Sequence, residues 1–171
     1  WEIVPLAKAV NPQRPITYGI VQTGPDEPNG VPCVRVVDLV QDEMVPGKMI
    51  RTTDEINRSY KRTILAKGDI MLALRGEIGH VRIVDARLTN ANLTRGVALV
   101  SPGSSFVPEY LLWALRAPQV RDAIFRRVNG SALKEIPLGE LRKVLVPCPS
   151  KNEQSRVAEL MSNAARAERT E

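Results

Sequence analysis

Histidine, cysteine and aromatic residues are scarce in this sequence of 171 residues, and each shortage argues against a class of function. His80 is the single histidine, so a metal site or a histidine-based triad would have to draw on other residue types. The two cysteines, Cys33 and Cys148, lie in separate apolar runs without metal-ligand spacing, which predicts two buried free thiols. Aromatic residues make up 4% of the chain, too few for the interleaved platform on which single-stranded nucleic acids stack. We expect no bound metal and no cofactor, and among nucleic acids the composition favours duplex DNA.

Long apolar runs and nucleotide-binding motifs are also missing. No run approaches the roughly 18 to 20 apolar residues that span a bilayer, and the N-terminus has no charged segment followed by a hydrophobic stretch. Neither a glycine-rich phosphate loop nor a dinucleotide fingerprint is present, and we find no amino-methyltransferase or nuclease signature. These absences predict a cytosolic chain without catalytic residues of its own.

Positive charge is abundant and local. The net charge is +5, and 17 of the 24 basic residues are arginine, whose guanidinium can grip phosphates and guanine edges with two hydrogen bonds. Residues 58–95 hold eight basic residues against three acidic ones, and residues 111–145 hold seven against three. A surplus concentrated in this way predicts a nucleic-acid footprint on part of the surface, although a merely solvated basic surface is the alternative.

Short strands and helices are both indicated, without a regular alternation. Runs rich in Val, Ile and Leu predict strands at residues 32–40, 69–74, 80–84, 96–100 and 143–146, and the N-terminal segment is expected to be irregular. Thr52 with Glu55 and Ser150 with Glu153 have the spacing of capping boxes, and Pro108 and Pro118 suit the first turns of two further helices. This mixture predicts an α+β fold: a single globular domain with a mixed or antiparallel sheet and short helices, followed by a C-terminal helix.

The stiff segment 147–149 (Pro-Cys-Pro) predicts a boundary between a globular domain, residues 1–149, and a terminal helix, residues 150–171. That helix carries a thin apolar stripe of Val157, Leu160 and Met161, which predicts packing against a partner helix. The chain starts at Trp1 and stops inside the helical pattern, so we expect it to be a piece of a longer protein or a processed form.

Candidate DNA contacts are polar residues in turns or at strand edges, beside glycines that let a backbone approach closely. Gly76 and Gly79 are interpreted as turn glycines of a hairpin. By this criterion the sequence predicts contacts from Arg75, Arg82, Arg95, Asn129, Ser131 and Lys134.

The C-terminal half resembles the end of a target recognition domain from the specificity subunits of Type I restriction-modification systems. Its features are a glycine-containing loop at 130–136, an L-x-x-L turn at 138–141, an apolar strand ending in Pro-x-Pro at 146–149, and the helix start Glu153-Gln154. Upstream, residues 18–22 and 30–36, residues 67–79, and residues 94–102 fall where the family places them. The family normally carries two such domains, whereas here there is one.

The resemblance implies a domain that reads one half of a two-part duplex DNA target without catalysis. It also implies that residues 150–171 begin a spacer helix that docks methyltransferase subunits and, through them, the restriction subunit. Weak self-association through that helix is a further expectation. Two alternatives remain: the recognition portion of a fused methyltransferase-endonuclease, and a basic RNA-binding or assembly domain.

Overall fold

The central strand of the fold is apolar at every position. In the computed structural model, which describes residues 1–170, this strand is Ile70–Ala73 and all four of its residues are buried. A continuous apolar run of this kind is typical of a strand covered on both faces. In chain order the strands are β1 (Glu2–Pro5), β2 (Thr17–Tyr18), β3 (Val31–Val34), β4 (Ile50–Thr52), β5 (Ile70–Ala73), β6 (Val81–Ile83), β7 (Asn92–Leu93), β8 (Val97–Val100) and β9 (Leu145–Cys148).

Seven α-helices are described, and most of them are short. They are α1 (Leu6–Ala9), α2 (Val36–Leu39), α3 (Asp54–Ser59), α4 (Pro108–Arg116), α5 (Pro118–Phe125), α6 (Leu138–Leu141) and α7 (Lys151–Arg169), with single 3-10 turns at Pro46–Lys48, Lys61–Thr63 and Ala86–Leu88. Pro108 and Pro118 each occupy the first helical turn, as predicted. Within residues 1–170, no helix combines the length and the apolar content needed to cross a bilayer.

Three small sheets make up the β structure, and the α+β prediction is confirmed. The largest has the strand order β2-β8-β5-β6, with all its neighbours antiparallel. A second has the order β4-β3-β7 and includes one parallel pair, and a third pairs β1 with β9. Gly76 and Gly79 have positive φ of 62° and 82° in the β5–β6 turn, which confirms the predicted hairpin.

Side chains of β5 alternate between two cores, because successive residues of a strand point to opposite faces. Ile70 and Leu72 belong to a larger cluster that includes residues of α4, α5 and β9. Met71 and Ala73 belong to a second cluster with residues of α2 and β8. The four-stranded sheet is therefore covered on both faces.

The predicted strand at residues 32–40 is wrong beyond Val34. The chain turns there into α2, because the Asp38 carboxylate accepts hydrogen bonds from the Arg35 main-chain N–H at 2.9 Å and from its side-chain Nε at 3.1 Å. This local capping holds a helical turn that buries Leu39.

The capping residue of α3 was also predicted one position too early. Thr52 is the last residue of β4, and its buried hydroxyl donates to the carbonyl of Thr23 at 2.8 Å. Thr53 is the N-cap instead, since its side chain accepts a hydrogen bond from the N–H of Ile56 at 3.2 Å.

The N-terminal segment, expected to be irregular, forms strand β1 against β9. The register pairs Glu2 with Cys148 and Pro5 with Leu145. The first two residues of segment 147–149 thus belong to strand β9, and its prolines prevent helix formation. Of the two predicted buried free thiols, both are free, but only Cys33 is fully buried while Cys148 is half-buried.

The capping box of α7 is confirmed, because Ser150 and Glu153 exchange hydrogen bonds in both directions. This helix packs on α4 of the same chain. Gln154 is buried there, accepting from the N–H of Val107 at 2.7 Å and donating to the carbonyls of Ser105 and Pro149. The domain boundary between residues 149 and 150 stays a prediction. Helix α7 has one partner helix, α4, within its own domain.

Candidate nucleic-acid interface

A closed loop lies next to the end of β5. Asn129 and Glu135 pair through their main chains, each N–H donating to the other's carbonyl at 2.9 Å. The next residue, Ile136, donates to the carbonyl of Leu74 at 3.1 Å and so fixes the loop beside the sheet. Residues 130–134 between these anchors are all exposed, including Ser131 and Lys134. The loop therefore presents polar and basic groups from a rigid base.

The carboxylate of Glu135 holds two arginines. Its Oε1 lies 3.4 Å from Nε of Arg75 and 3.4 Å from Nη1 of Arg95. The contact with Arg75 does not have hydrogen-bond geometry, which leaves a buried Nε without a hydrogen-bond partner among residues 1–170. One acceptor is shared by two guanidinium groups, so the cluster keeps a net charge of +1 and several free N–H donors.

Arg95 also stacks on an aromatic ring. Its guanidinium carbon lies 5.2 Å from the ring centroid of Tyr18, within the range of a cation–π contact. Tyr18 belongs to the edge strand β2. A side chain at Gly19 would collide with the main chain of Leu93, since a Cβ there would lie 2.1 Å from the carbonyl oxygen. Glycine at this position thus lets β2 lie close enough for Tyr18 to reach Arg95.

A second basic groove begins on the other side of Tyr18. It is lined by Arg58 from α3 and by Lys61 and Arg62 from the following turn, all of them exposed. Within the described residues none of these three side chains lies within 4.0 Å of a carboxylate. We call the combined area the Tyr18 surface; it consists of Tyr18, Arg58, Lys61, Arg62, Arg75, Arg95 and the loop 129–135.

Five of the six residues predicted from the sequence come together on the Tyr18 surface: Arg75, Arg95, Asn129, Ser131 and Lys134. Arg82 does not join them. It lies on β6, at the opposite edge of the sheet from β2, and donates to the carbonyls of Leu39, Gln41 and Asp42.

Sequence reasoning missed Tyr18 and Glu135. Tyr18 precedes a glycine at a strand end, and Glu135 is the sole acidic residue between Arg126 and Pro137, within a basic stretch. Both signals are visible in the sequence, but the contacts with Arg95 depend on three segments that meet only in the fold.

The Tyr18 surface offers many donors, one carboxylate acceptor and an aromatic face. Such groups hydrogen-bond to phosphate oxygens and to base edges in a duplex groove. No group of three or more His, Cys, Asp or Glu side chains suited to a metal ion occurs in residues 1–170. The chemistry of the Tyr18 surface is suited to a polyanion.

Fold and surface together define an α+β domain with a basic, arginine-rich surface. The family model for the Type I restriction modification DNA specificity domain matches residues 17–170, so this chain belongs to that family. The family resemblance seen in the sequence is confirmed by this match.

Individual relatives agree with the family match. Over 158 residues the chain is 33% identical to the Type I restriction enzyme EcoBI specificity subunit of Escherichia coli, which covers 92% of this chain and 33% of the relative. The fold is similar to a chain of a type I R-M system (TM-score 0.71, 19% identity) and to the HsdS subunit from Thermoanaerobacter tengcongensis (TM-score 0.67, 17% identity). Each of these matches covers 98% of this chain and 38% of the other. The chain thus spans about a third of the length of these relatives.

Proposed function

We propose that this domain binds duplex DNA sequence-specifically, reading one half of a bipartite target for a Type I restriction-modification complex. The observation that carries the proposal is the pair of arginines, Arg75 and Arg95, held on Glu135 beside Tyr18 and the loop 129–135. Guanidinium groups fixed in this way lose little conformational freedom when they meet a base edge.

The residues divide into two roles. Arg75 and Arg95 read bases, and a bidentate contact with a guanine edge is the commonest specific use of arginine. Glu135 positions them and can accept a hydrogen bond from a cytosine amino group. Arg58, Lys61 and Arg62 contact phosphates, while Asn129, Ser131 and Lys134 follow the backbone or a groove edge. Arg82, at the other sheet edge, stays a predicted DNA contact outside this surface.

Catalysis in this proposal belongs to other subunits. The domain directs cytosolic methyltransferase subunits, and through them the restriction subunit, to one half-site. Helix α7 supplies the docking surface for these partners and for weak self-association, because its second half exposes apolar residues. The family membership supports these roles, and the chain itself needs no cofactor for them.

Selection from random duplexes followed by fluorescence anisotropy tests the proposal. The wild-type chain should enrich a short half-site and lose affinity steeply with salt. Arg95→Ala should reduce discrimination at one position by about 1–3 kcal/mol. Arg58→Ala should instead weaken binding to all sequences alike, and it should lower the slope of log affinity against log salt concentration by about 1.

The matched control is Arg156→Ala, which removes one exposed charge from α7 and leaves the Tyr18 surface intact. It should leave the enriched sequence unchanged. Unaltered sequence preference in an Arg75→Ala, Arg95→Ala double variant would exclude these residues as readers. Equal affinity for all duplexes would favour a non-specific basic domain.

A further inference from the structure

Three arginines from three separate elements line one groove at the β6 edge of the sheet. They are Arg82 on β6, Arg116 at the end of α4 and Arg169 at the end of α7, and His80 lies beside them. Helix α4 packs against both β6 and α7, which brings the three elements together. We call this the Arg116 groove, defined by His80, Arg82, Arg116 and Arg169.

Two of the three guanidinium groups are fixed in place. Nη1 of Arg82 donates to the carbonyl of Gln41 at 2.6 Å, and Nη2 of Arg116 donates to the carbonyl of Val81 at 2.9 Å. The Arg116 guanidinium also lies 4.9 Å from the ring centroid of Trp113. Each group keeps further N–H donors free for a ligand. Two of the three arginines are therefore ordered before anything binds to the groove.

The positive charge in the groove is largely uncompensated. Among residues 1–170 none of the three arginines has a carboxylate oxygen within 4.0 Å. Asp42 is the one acidic residue among those that line the groove. Burial, followed by the charges of Arg82 and Arg169, lowers the pKa of Arg116. Burial and the charge of Arg169 lower the pKa of Arg82, and Asp42 and Asp85 oppose this in part. Like charges held together in this way repel, and a bound anion would relieve the repulsion.

This groove is separate from the Tyr18 surface. Strand β6 is one edge of the four-stranded sheet and β2 is the other. Three strand spacings of about 4.8 Å separate them, which places the two edges about 14 Å apart. The residues that line the Arg116 groove do not include any of the Tyr18 surface.

We propose that the Arg116 groove is a binding site for a phosphate group. Guanidinium groups that line one groove from β6, α4 and α7 suit a tetrahedral oxyanion, which has oxygens in three dimensions. A carboxylate carries one negative charge and has two oxygens in one plane, so it would balance less of the charge in this groove. Phosphate can carry two negative charges, which matches three arginines offset by one aspartate. The inference does not rest on the proposed reading of DNA by the Tyr18 surface.

The site is tested by nuclear magnetic resonance with inorganic phosphate at constant ionic strength. Saturable shifts are expected for the arginine Nε–H signals of the groove and for His80, the single histidine. In the free protein, burial and the charges of Arg82, Arg116 and Arg121 lower the pKa of His80, and Glu77 opposes them. A bound dianion should raise this pKa. Absence of saturable binding would overturn the proposal.

Variants locate the binding. Arg169→Gln should disturb the fold least, because Arg169 is exposed and ends α7. Arg116→Gln is the second variant. Each should weaken phosphate binding about tenfold, the loss of one charge-assisted hydrogen bond. Arg156→Gln removes the same charge from the same helix and should have no effect. Undiminished phosphate binding in the Arg116→Gln, Arg169→Gln double variant would show that the groove is not the site.

The source of the phosphate is distinguished with duplex DNA. If the phosphate belongs to a DNA backbone that extends past the Tyr18 surface, Arg169→Gln should weaken binding to a long duplex and leave binding to a short duplex unchanged. It should also lower the slope of log affinity against log salt concentration by about 1 for the long duplex. Sequence preference should not change. If the natural ligand is a free phosphate compound, the variant should bind both duplexes as tightly as the wild type does, although it binds inorganic phosphate more weakly. Both results support a phosphate site.

Discussion

Asn129 and Glu135 are joined by two reciprocal main-chain hydrogen bonds of 2.9 Å, and the side chain of Glu135 simultaneously holds Arg75 and Arg95. The closure of the loop and the placement of the two arginines therefore depend on the same residue. A change that opens the loop should also displace the arginines, even if the rest of the domain is unaffected.

Gly130→Ala should impair DNA binding more than folding. Gly130 has φ of +103°, and a Cβ there would lie 2.2 Å from the carbonyl oxygen of Leu133, so the main chain of the loop must shift. We expect the free energy of unfolding to fall by about 1–3 kcal/mol, the usual cost of such strain, and half-site affinity to fall at least about tenfold. Urea denaturation and anisotropy measure the two effects.

Gly139→Ala is the control for this change. Gly139 lies in α6 at negative φ, and a Cβ there meets no atom within 4 Å. Alanine should be neutral or slightly stabilising at this position. Wild-type affinity in Gly130→Ala would contradict a role for the loop in binding.

Gln154→Leu should destabilise the whole domain. The side chain of Gln154 is 0% exposed and satisfies the N–H of Val107 and the carbonyls of Ser105 and Pro149. Leucine fills a similar volume but leaves these three groups without their partner, at about 1–3 kcal/mol for a buried group. We expect a loss of about 2–4 kcal/mol in urea denaturation. Asn152→Ala, an exposed change on the same helix, should alter stability by less than about 0.5 kcal/mol. Equal effects of the two would mean that α7 is not anchored through Gln154.

Local sequence patterns predicted the helices and strands that neighbouring residues determine. The run Ile70–Ala73 is apolar throughout and is a buried strand, and Ser150 with Glu153 caps α7 as expected. Strand β1 was not predictable in this way, because its partner β9 is more than 130 residues away in the chain. Helix α2 was missed because four residues are too few for a helical period, and a single carboxylate, Asp38, decides it.

The candidate site shows the same division. Glycines and turns located Arg75, Arg95 and the loop 129–135, since these are properties of short segments. The ion pairs with Glu135 and the stacking on Tyr18 join four segments: β2, the turn after β5, the turn before β8 and the loop 129–135. Only the fold brings these segments together. Arg82 met the same local criterion, yet the topology of the sheet places it at the far edge.

His80 should make stability depend on pH near neutrality. Burial and the charges of Arg82, Arg116 and Arg121 lower its pKa, and Glu77 opposes them less strongly. The unfolded chain, in which histidine titrates near about 6.5, therefore binds a proton at higher pH than the folded chain does. Stability should fall as the pH drops from above 7 through this range, because protonation favours the unfolded state.

His80→Gln should flatten that dependence in urea denaturation between about pH 5.5 and pH 7.5. The comparison with wild type cancels the contribution of carboxylates, which titrate lower in both chains. Direct titration of His80 by nuclear magnetic resonance provides a second measurement. A folded-state pKa at or above that of free histidine, or an identical pH slope in the variant, would contradict the assignment.

The exposed part of α7 should support only weak association. Val157 packs against the larger core of its own domain, whereas Leu160 and Met161 are 69% and 42% exposed. Full burial of two such side chains contributes about 1.5–3 kcal/mol each, which ordering and association costs largely offset. Sedimentation of this chain should therefore show a monomer or a weak dimer. The double variant Leu160→Asp, Met161→Asp should remove any dimer without changing the free energy of unfolding. The control is Val37→Asp, at a residue of α2 that is 55% exposed, and it should leave any dimer intact. A tight dimer that persists in the α7 variant would place the contact elsewhere on the surface.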